Sequence, residues 1–200
     1  MKKNKVVILD PGHGENTLGK CSPDKSFYEW QWTRMFVERL KAELESLGYI
    51  VYVTVTGSYD YGLTTRATRA NSLISTHGAA NCIFISIHNN AAGTGDKWYN
   101  ATGWEVYTTK GKTNSDRLAE CLANEVEKEG IKLRTDLSDG DKDKESNFTV
   151  IYKTNCPAIL TENMFMDSKK DLEFLNSEEG VKKLLNIHIN GINNYFNNDR

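Results

Sequence analysis

Continuous apolar runs alternate with segments of helical periodicity along the whole chain, and nothing else in the sequence restricts the fold so strongly. Val6-Val7-Ile8-Leu9, Cys82-Ile83-Phe84-Ile85 and Ala158-Ile159-Leu160 lack alternating polar positions. As strands they need cover on both faces, which helices packed on a largely parallel sheet provide. The helical pattern falls between them. Phe36, Val37, Leu40, Leu44 and Leu47 recur at helical spacing up to Gly48, and Thr64 to His77 runs to Gly78. Ser115 to Glu129 stops at Gly130, and Val181, Leu184, Leu185, Ile192, Tyr195 and Phe196 share a face near the end. Tyr49 to Thr54, Gly103 to Thr109 and Thr149 to Lys153 read as further strands, and the polar stretch between Thr135 and Asn147 as an exposed loop. The class is therefore α/β. A length of 200 residues fits one domain over 1–200.

Charge narrows the partners. With 25 basic and 27 acidic residues spread along the chain, the net charge of -2 provides no footprint for a phosphate backbone or an anionic membrane. The expectation is no nucleic acid and no membrane. The basic start, Met1 to Lys5, is followed by only four apolar residues before Asp10 and Pro11, too few for a signal-peptide core. Cys21, Cys82, Cys121 and Cys156 form no C-x-x-C pair, so buried free thiols are the expectation for Cys82 and Cys121.

Open α/β sheets bind ligands beyond the carboxyl ends of their strands. His13 follows the first apolar run, His88 ends the run from Cys82, and Glu162 ends the run from Ala158. Three strands each delivering a titratable side chain to one edge is poorly explained by core packing. Catalytic zinc sites use three protein ligands and leave one position open. Two histidines need a third ligand, and Glu29 in the first turn of the helix after the glycine-rich loop is placed to supply it. Ser26-Phe27-Tyr28-Glu29 also fits a capping box, in which Glu29 would bond the helix-start amide and need no metal. Spacing alone leaves both readings open. Glu162 fits a general base acting on a metal-activated water, against the alternative of a strand-end carboxylate paired with Arg66. His77, in a last helical turn, and His188, on an apolar face, read as structural. Trp30 and Trp104 are explained by packing as well as by ligand contact. Trp98 with Tyr99, in a loop context, has the better claim to ligand contact.

Taken together the motifs resemble the zinc-dependent N-acetylmuramoyl-L-alanine amidases of the amidase-3 type over nearly the whole chain. Asp10-Pro11-Gly12-His13-Gly14 is similar to that family's opening metal motif, and Glu29 stands where its glutamate ligand would be. Leu63-x-x-Arg66-x-x-x-Ala70-Asn71, Ser86-Ile87-His88-Asn89-Asn90-Ala91 and Gly103-Trp104-Glu105-Val106-Tyr107 resemble the segments that follow. Pro157 to Phe165, with Asp171 and Leu175 after it, resembles the segment of the catalytic glutamate. The resemblance implies a sheet of about six mostly parallel strands flanked by helices on both faces. It implies one Zn2+ per chain held by His13, Glu29 and His88, Glu162 as the catalytic base, and Arg66 or Asn90 as a donor to the substrate. The implied substrate is peptidoglycan, cut between N-acetylmuramic acid and L-alanine of the stem peptide. The enzyme is expected to be a monomer that reaches the cell wall by holin-type release, as a phage lysin does, or through a leader absent from this chain. The chain departs from the family pattern at Glu15, at Asn163 and Met164, and in the acidic loop Asp136 to Glu145. Two rivals are a peptidoglycan-binding protein on the same fold that no longer cuts, which should have lost one of the four residues, and a zinc carboxypeptidase or deacylase, which should show an arginine clamp.

Overall fold

The structure is a computed structural model that describes residues 2, 4–138 and 140–197. Six strands form one sheet in the order β2-β1-β3-β6-β4-β5. They are β1 (Val6–Pro11), β2 (Ile50–Val53), β3 (Cys82–Asn90), β4 (Trp104–Thr108), β5 (Lys144–Glu145) and β6 (Ala158–Phe165). β2, β1, β3 and β6 run parallel, β4 lies antiparallel to β6, and β5 follows β4 in parallel. Residues alternate between the faces of a strand, so Val7, Leu9, Ile83, Ile85 and Ile159 enter one core and Val6, Ile8, Phe84, Ala158 and Leu160 the other. The first core packs against α1 (Glu29–Ser46), α3 (Asn114–Lys128), α5 (Lys169–Asn176) and α6 (Glu178–Asn197). The second is covered by α2 (Leu63–His77) and the short α4 (Thr149–Tyr152). Helices thus lie on both faces, as the apolar runs required. None among the described residues is long and apolar enough to cross a membrane.

Two expectations fail. Thr149 to Lys153 is not a strand: the segment folds as α4, with neighbouring Val150 and Ile151 both buried in the second core. A strand would send those neighbours to opposite faces, whereas one helical turn delivers both to the same side. The strand actually present at that edge is β5, drawn from the polar stretch read as an exposed loop. Lys144 and Glu145 pair with Tyr107 and Thr108, and Asp143 is buried where the Thr108 hydroxyl donates to it at 2.5 Å. A two-residue edge strand is held by backbone pairing and needs no apolar signature.

The structural assignments of the outer histidines hold. His77 bonds Tyr52 Oη at 3.1 Å, and His188 is fully buried between Leu184 O at 2.8 Å and Thr161 Oγ1 at 3.3 Å. Cys82 is buried, the other three cysteines are half-buried, and all four are free thiols.

Candidate metal centre

β1 ends in the turn Pro11-Gly12-His13-Gly14, which has to bring an imidazole back over the sheet edge. His13 does so at φ 58, a left-handed conformation costly for a residue with a side chain. Two arginines hold it there. Arg34 on α1 donates to the carbonyls of Pro11 at 3.0 Å, Gly12 at 3.2 Å and His13 at 2.6 Å, and Arg66 on α2 donates to Pro11 at 2.7 Å and His13 at 3.1 Å. The glycines are dictated by contact. A Cβ on Gly12 would stand 2.5 Å from the His88 ring, and one on Gly14 2.2 Å from the Asp60 amide nitrogen.

Glu29 opens α1, and the competing capping box is absent. Tyr28 is the cap residue and uses no side chain, the Ser26 hydroxyl turns to Asp24 at 2.7 Å, and the Glu29 amide donates to Lys20 O at 3.0 Å. The carboxylate is left free to point into the cleft. Its Oε1 meets His88 Nδ1 at 3.0 Å and accepts from the Asn89 amide at 3.0 Å, and its Oε2 lies 3.4 Å from His13 Nε2. The ligand atoms of His13, Glu29 and His88 all fall within 4.8 Å of one another.

The donor set fits a metal cation. Ser86 donates its hydroxyl proton to Asp10 Oδ2 at 2.8 Å, so its oxygen accepts from Nε2–H of His88 at 3.2 Å. Burial opposes a charge on His88, but the bond to Glu29 and the charges of Glu29, Glu162 and Asp10 raise its pKa, so a proton at Nδ1 sits where a metal ion would be held. Glu29 Oε2 is buried without a hydrogen-bond partner, which is costly for a carboxylate lacking a counter-charge. Burial pulls the His13 pKa down to about 4, with His88 adding to the fall and Glu29 opposing it, so His13 presents a neutral imidazole. Burial also works against ionised Glu29, but the bond and charge of His88, with the Asn89 amide, outweigh it and hold its pKa below the usual range.

Glu162 sits beside this set because β6 pairs with β3 in a register that puts it level with His88. Burial, joined by the charges of Glu29 and Glu105, pushes its pKa up to about 8 against the opposing pull of His88 and Lys20. Its Oε2 has no hydrogen-bond partner among the described residues. One extra residue in β6 shifts the register between His88 and Asn90, and Met164 at φ 64 takes up the bend. Asn163 braces the same point, accepting from Trp104 Nε1 at 2.8 Å and donating to His88 O at 3.0 Å. The two departures at Asn163 and Met164 are therefore parts of the scaffold under Glu162.

The substrate donors fare differently. Arg66 is 2% exposed and directs all five N–H groups inward: Nε to Tyr61 O, NH1 to Asp10 and Pro11 O, NH2 to Asp60 and His13 O. It holds the His13 turn and has no donor left for a substrate, nor does it pair with Glu162. Asn90 reaches the cleft edge, with Oδ1 accepting from the Ala91 amide at 2.8 Å and its own carbonyl accepting from Met166. Residue types alone did not reveal Arg34, Asp10, Ser86 or Asp60 as supports, because their role exists only once β1, β3, α1 and α2 are assembled. Trp30, half-buried in the first turn of α1, lines a cavity of about 620 Å3 with Leu18, Lys20 and Tyr28 from the segment between His13 and Glu29. Its neighbour Trp32 does the packing, donating Nε1–H to Leu175 O at 3.0 Å. Trp98 packs partly against the core, with Lys169 Nζ 5.6 Å from its ring centre. A cavity of about 1000 Å3 lies at the far end of the strands around Lys5, Asn81 and Cys156 and includes none of the four residues.

Comparison with known proteins agrees with this geometry. The chain is 31% identical over 193 residues to the N-acetylmuramoyl-L-alanine amidase CwlM of Bacillus licheniformis, covering 96% of this chain and 68% of that protein. It is 29% identical over 198 residues to the endolysin of Bacillus phage SPP1, covering 97% of this chain and 67% of the endolysin. The crystal structure of N-acetylmuramoyl-L-alanine amidase from Clostridium difficile 630 superposes with a TM-score of 0.83 at 26% identity, covering all of both chains. The model of the N-acetylmuramoyl-L-alanine amidase family matches residues 7–194, a span that includes both histidines, both glutamates and every strand after the first residue of β1. With the fold, the His13, Glu29 and His88 cluster and this match all in agreement, the chain belongs to the N-acetylmuramoyl-L-alanine amidase family.

Proposed function

We propose that this protein is a zinc-dependent hydrolase of the amide between the lactyl group of N-acetylmuramic acid and L-alanine of the stem peptide, with peptidoglycan as its substrate. The observation that carries the reading is Glu162 in register with His88, its unpartnered oxygen beside the convergent set of His13, Glu29 and His88. When bound by those three residues, zinc supplies a Lewis acid for the scissile carbonyl and for water. Glu162 takes a proton from the attacking water as its oxygen bonds the carbonyl carbon. It returns that proton to the alanine nitrogen as the C–N bond breaks. A carboxylate with an unpartnered oxygen beside the metal set is free to accept that proton and to return it. Arg34 and Arg66 keep His13 in place, and the chain Ser86–Asp10 holds His88 with Nδ1 toward the cleft, as outer partners of metal ligands do. Asn90 remains as a donor to the substrate. The substrate places the action at the cell wall, and the likeness to a phage endolysin supports release through a holin.

The test is digestion of purified cell walls with mass analysis of the products, by zinc-replete protein, by a chelated sample and by Glu162→Gln. Only the zinc-replete protein should release free stem peptides, and Glu162→Gln should lose about 100-fold or more in rate, the scale of a lost general base. Intact sugar–peptide linkages alongside cleavage of another bond would overturn the assignment.

A further inference from the structure

The row of side chains that starts at the metal centre continues across the sheet. His88 is level with Glu162, and Glu162 with Glu105 on β4, so the three share one face at successive strands, roughly 5 Å apart. Glu105 is 2% exposed and gathers two cations. Nε of Arg134 donates to its Oε1, Lys144 Nζ lies 2.9 Å from the same oxygen, and the Tyr107 hydroxyl donates to Oε2 at 2.7 Å. Two cations thus meet on one buried carboxylate. Asp136, a further carboxylate that interacts with Lys144, is fully exposed and therefore screened.

Arg134 is tethered only at its inner nitrogen. Among the described residues its two terminal nitrogens have no protein partner, and its side chain is 35% exposed. The guanidinium carbon lies 5.0 Å from the centre of the Phe165 ring, which fixes it from one side. Gly103, at φ 120, leaves room for its stem, since a Cβ there would stand 3.2 Å from Arg134 Cγ and 2.6 Å from Lys132 O. Lys144 and Tyr107 already satisfy Glu105, so the outward fork of Arg134 is not needed to neutralise it. A stacked guanidinium held at Nε and offering two nitrogens to solvent has the geometry of a bidentate carboxylate binder.

We propose that Arg134, assisted by Lys144, is a specificity-determining residue that binds a carboxylate of the stem peptide on the leaving side of the scissile amide. The inference rests on the amidase reading of the site. Two strand spacings separate His88 from Glu105, roughly 10 Å, a distance that an extended peptide covers in about three residues. The recognised group is therefore an acid on the second or third residue of the stem.

Three muramoyl-tripeptides test this: one with free carboxylates, one amidated at the second residue and one amidated at the third. Wild-type protein should prefer the free acid over one amidated form by about 10- to 100-fold in kcat/KM, expressed in KM, as loss of a charge-assisted hydrogen bond would give. The form that loses identifies the residue recognised. Calorimetric titration with the corresponding free tripeptides should show the same preference in affinity. Arg134→Gln should abolish the preference while retaining kcat on the disfavoured substrate, and Arg134→Lys should restore part of it. Wild-type protein that treats all three alike overturns the inference without recourse to any variant. So does an Arg134→Gln protein slowed equally in kcat on all three, since that marks Arg134 as a support for Glu105. Failure of wild-type protein to release peptide from any of the three would instead defeat the amidase reading.

Discussion

Gly12 lies under the His88 ring with no space for a single added carbon, since a Cβ would approach Cε1 and Nδ1 to 2.5 Å. A methyl group there has to displace the His88 imidazole or the turn that carries His13, two members of the candidate metal set. Gly12→Ala should weaken zinc binding by about 10-fold or more, comparable to the loss of a partner that orients a metal ligand. Competition against a chromophoric chelator measures this, and unchanged affinity would show that the turn relaxes without cost. At this scale much was legible in the sequence. His13, His88 and Glu162 stood out because each ends an apolar run, a pattern that backbone direction alone converts into a shared edge. Glu29 did not, because a carboxylate in the first turn of a helix serves a capping box equally well. Only the placement of Ser26 against Asp24 removes that alternative. Arg66 was legible as part of a motif but not in its role, which depends on five acceptors from β1, the turn after it and the approach to α2.

Elements meet at buried polar pins, and His188 is one of them. It fastens α6 to β6 through Thr161, with the rings of Phe36 and Trp104 at 5.3 and 6.4 Å. Burial lowers its pKa from 6.5 to about 4, with the bond to Leu184 O opposing, so the folded protein holds it neutral. The unfolded chain binds a proton below pH 6.5 that the folded chain refuses until about pH 4. The stabilisation is therefore complete above pH 6.5 and is lost progressively as pH falls toward 4. The full span corresponds to about 3 kcal/mol. Urea unfolding of wild-type protein and His188→Gln at steps between pH 7 and 4.5 should show a steeper loss for wild type, and parallel curves would refute the linkage. The periodicities that defined α1, α2, α3 and α6 were legible because each buries a stripe against an already apolar sheet. α4 and β5 were not. Val150 and Ile151 have strand-forming side chains but are drawn onto one side of the second core, and β5 exists only because β4 offers it an edge.

In the whole molecule the candidate metal centre joins parts distant in the chain, since the turn after β1, α1 and β3 each supply one residue of the His13, Glu29 and His88 set. A cation bound there is bound by the folded protein and not by the unfolded chain, so it should stabilise the entire domain. Zinc added to chelated protein should raise the melting temperature with concentration, by the equivalent of about 2.7 kcal/mol at 100 times Kd. Glu29→Gln should blunt the rise, and a melting temperature indifferent to zinc would argue against a site that completes the fold. The chain by itself determined the fold class, because uninterrupted apolar runs between amphipathic helices can be buried only as a sheet covered on both faces. It also determined which strand ends carry chemistry, since that follows from where each apolar run stops. The tertiary structure decided what Glu29, Arg34, Arg66, Glu105 and Arg134 do. Long polar side chains can serve a cap, a clamp or a ligand equally well, and the choice is made by acceptors and neighbours that folding alone brings within reach.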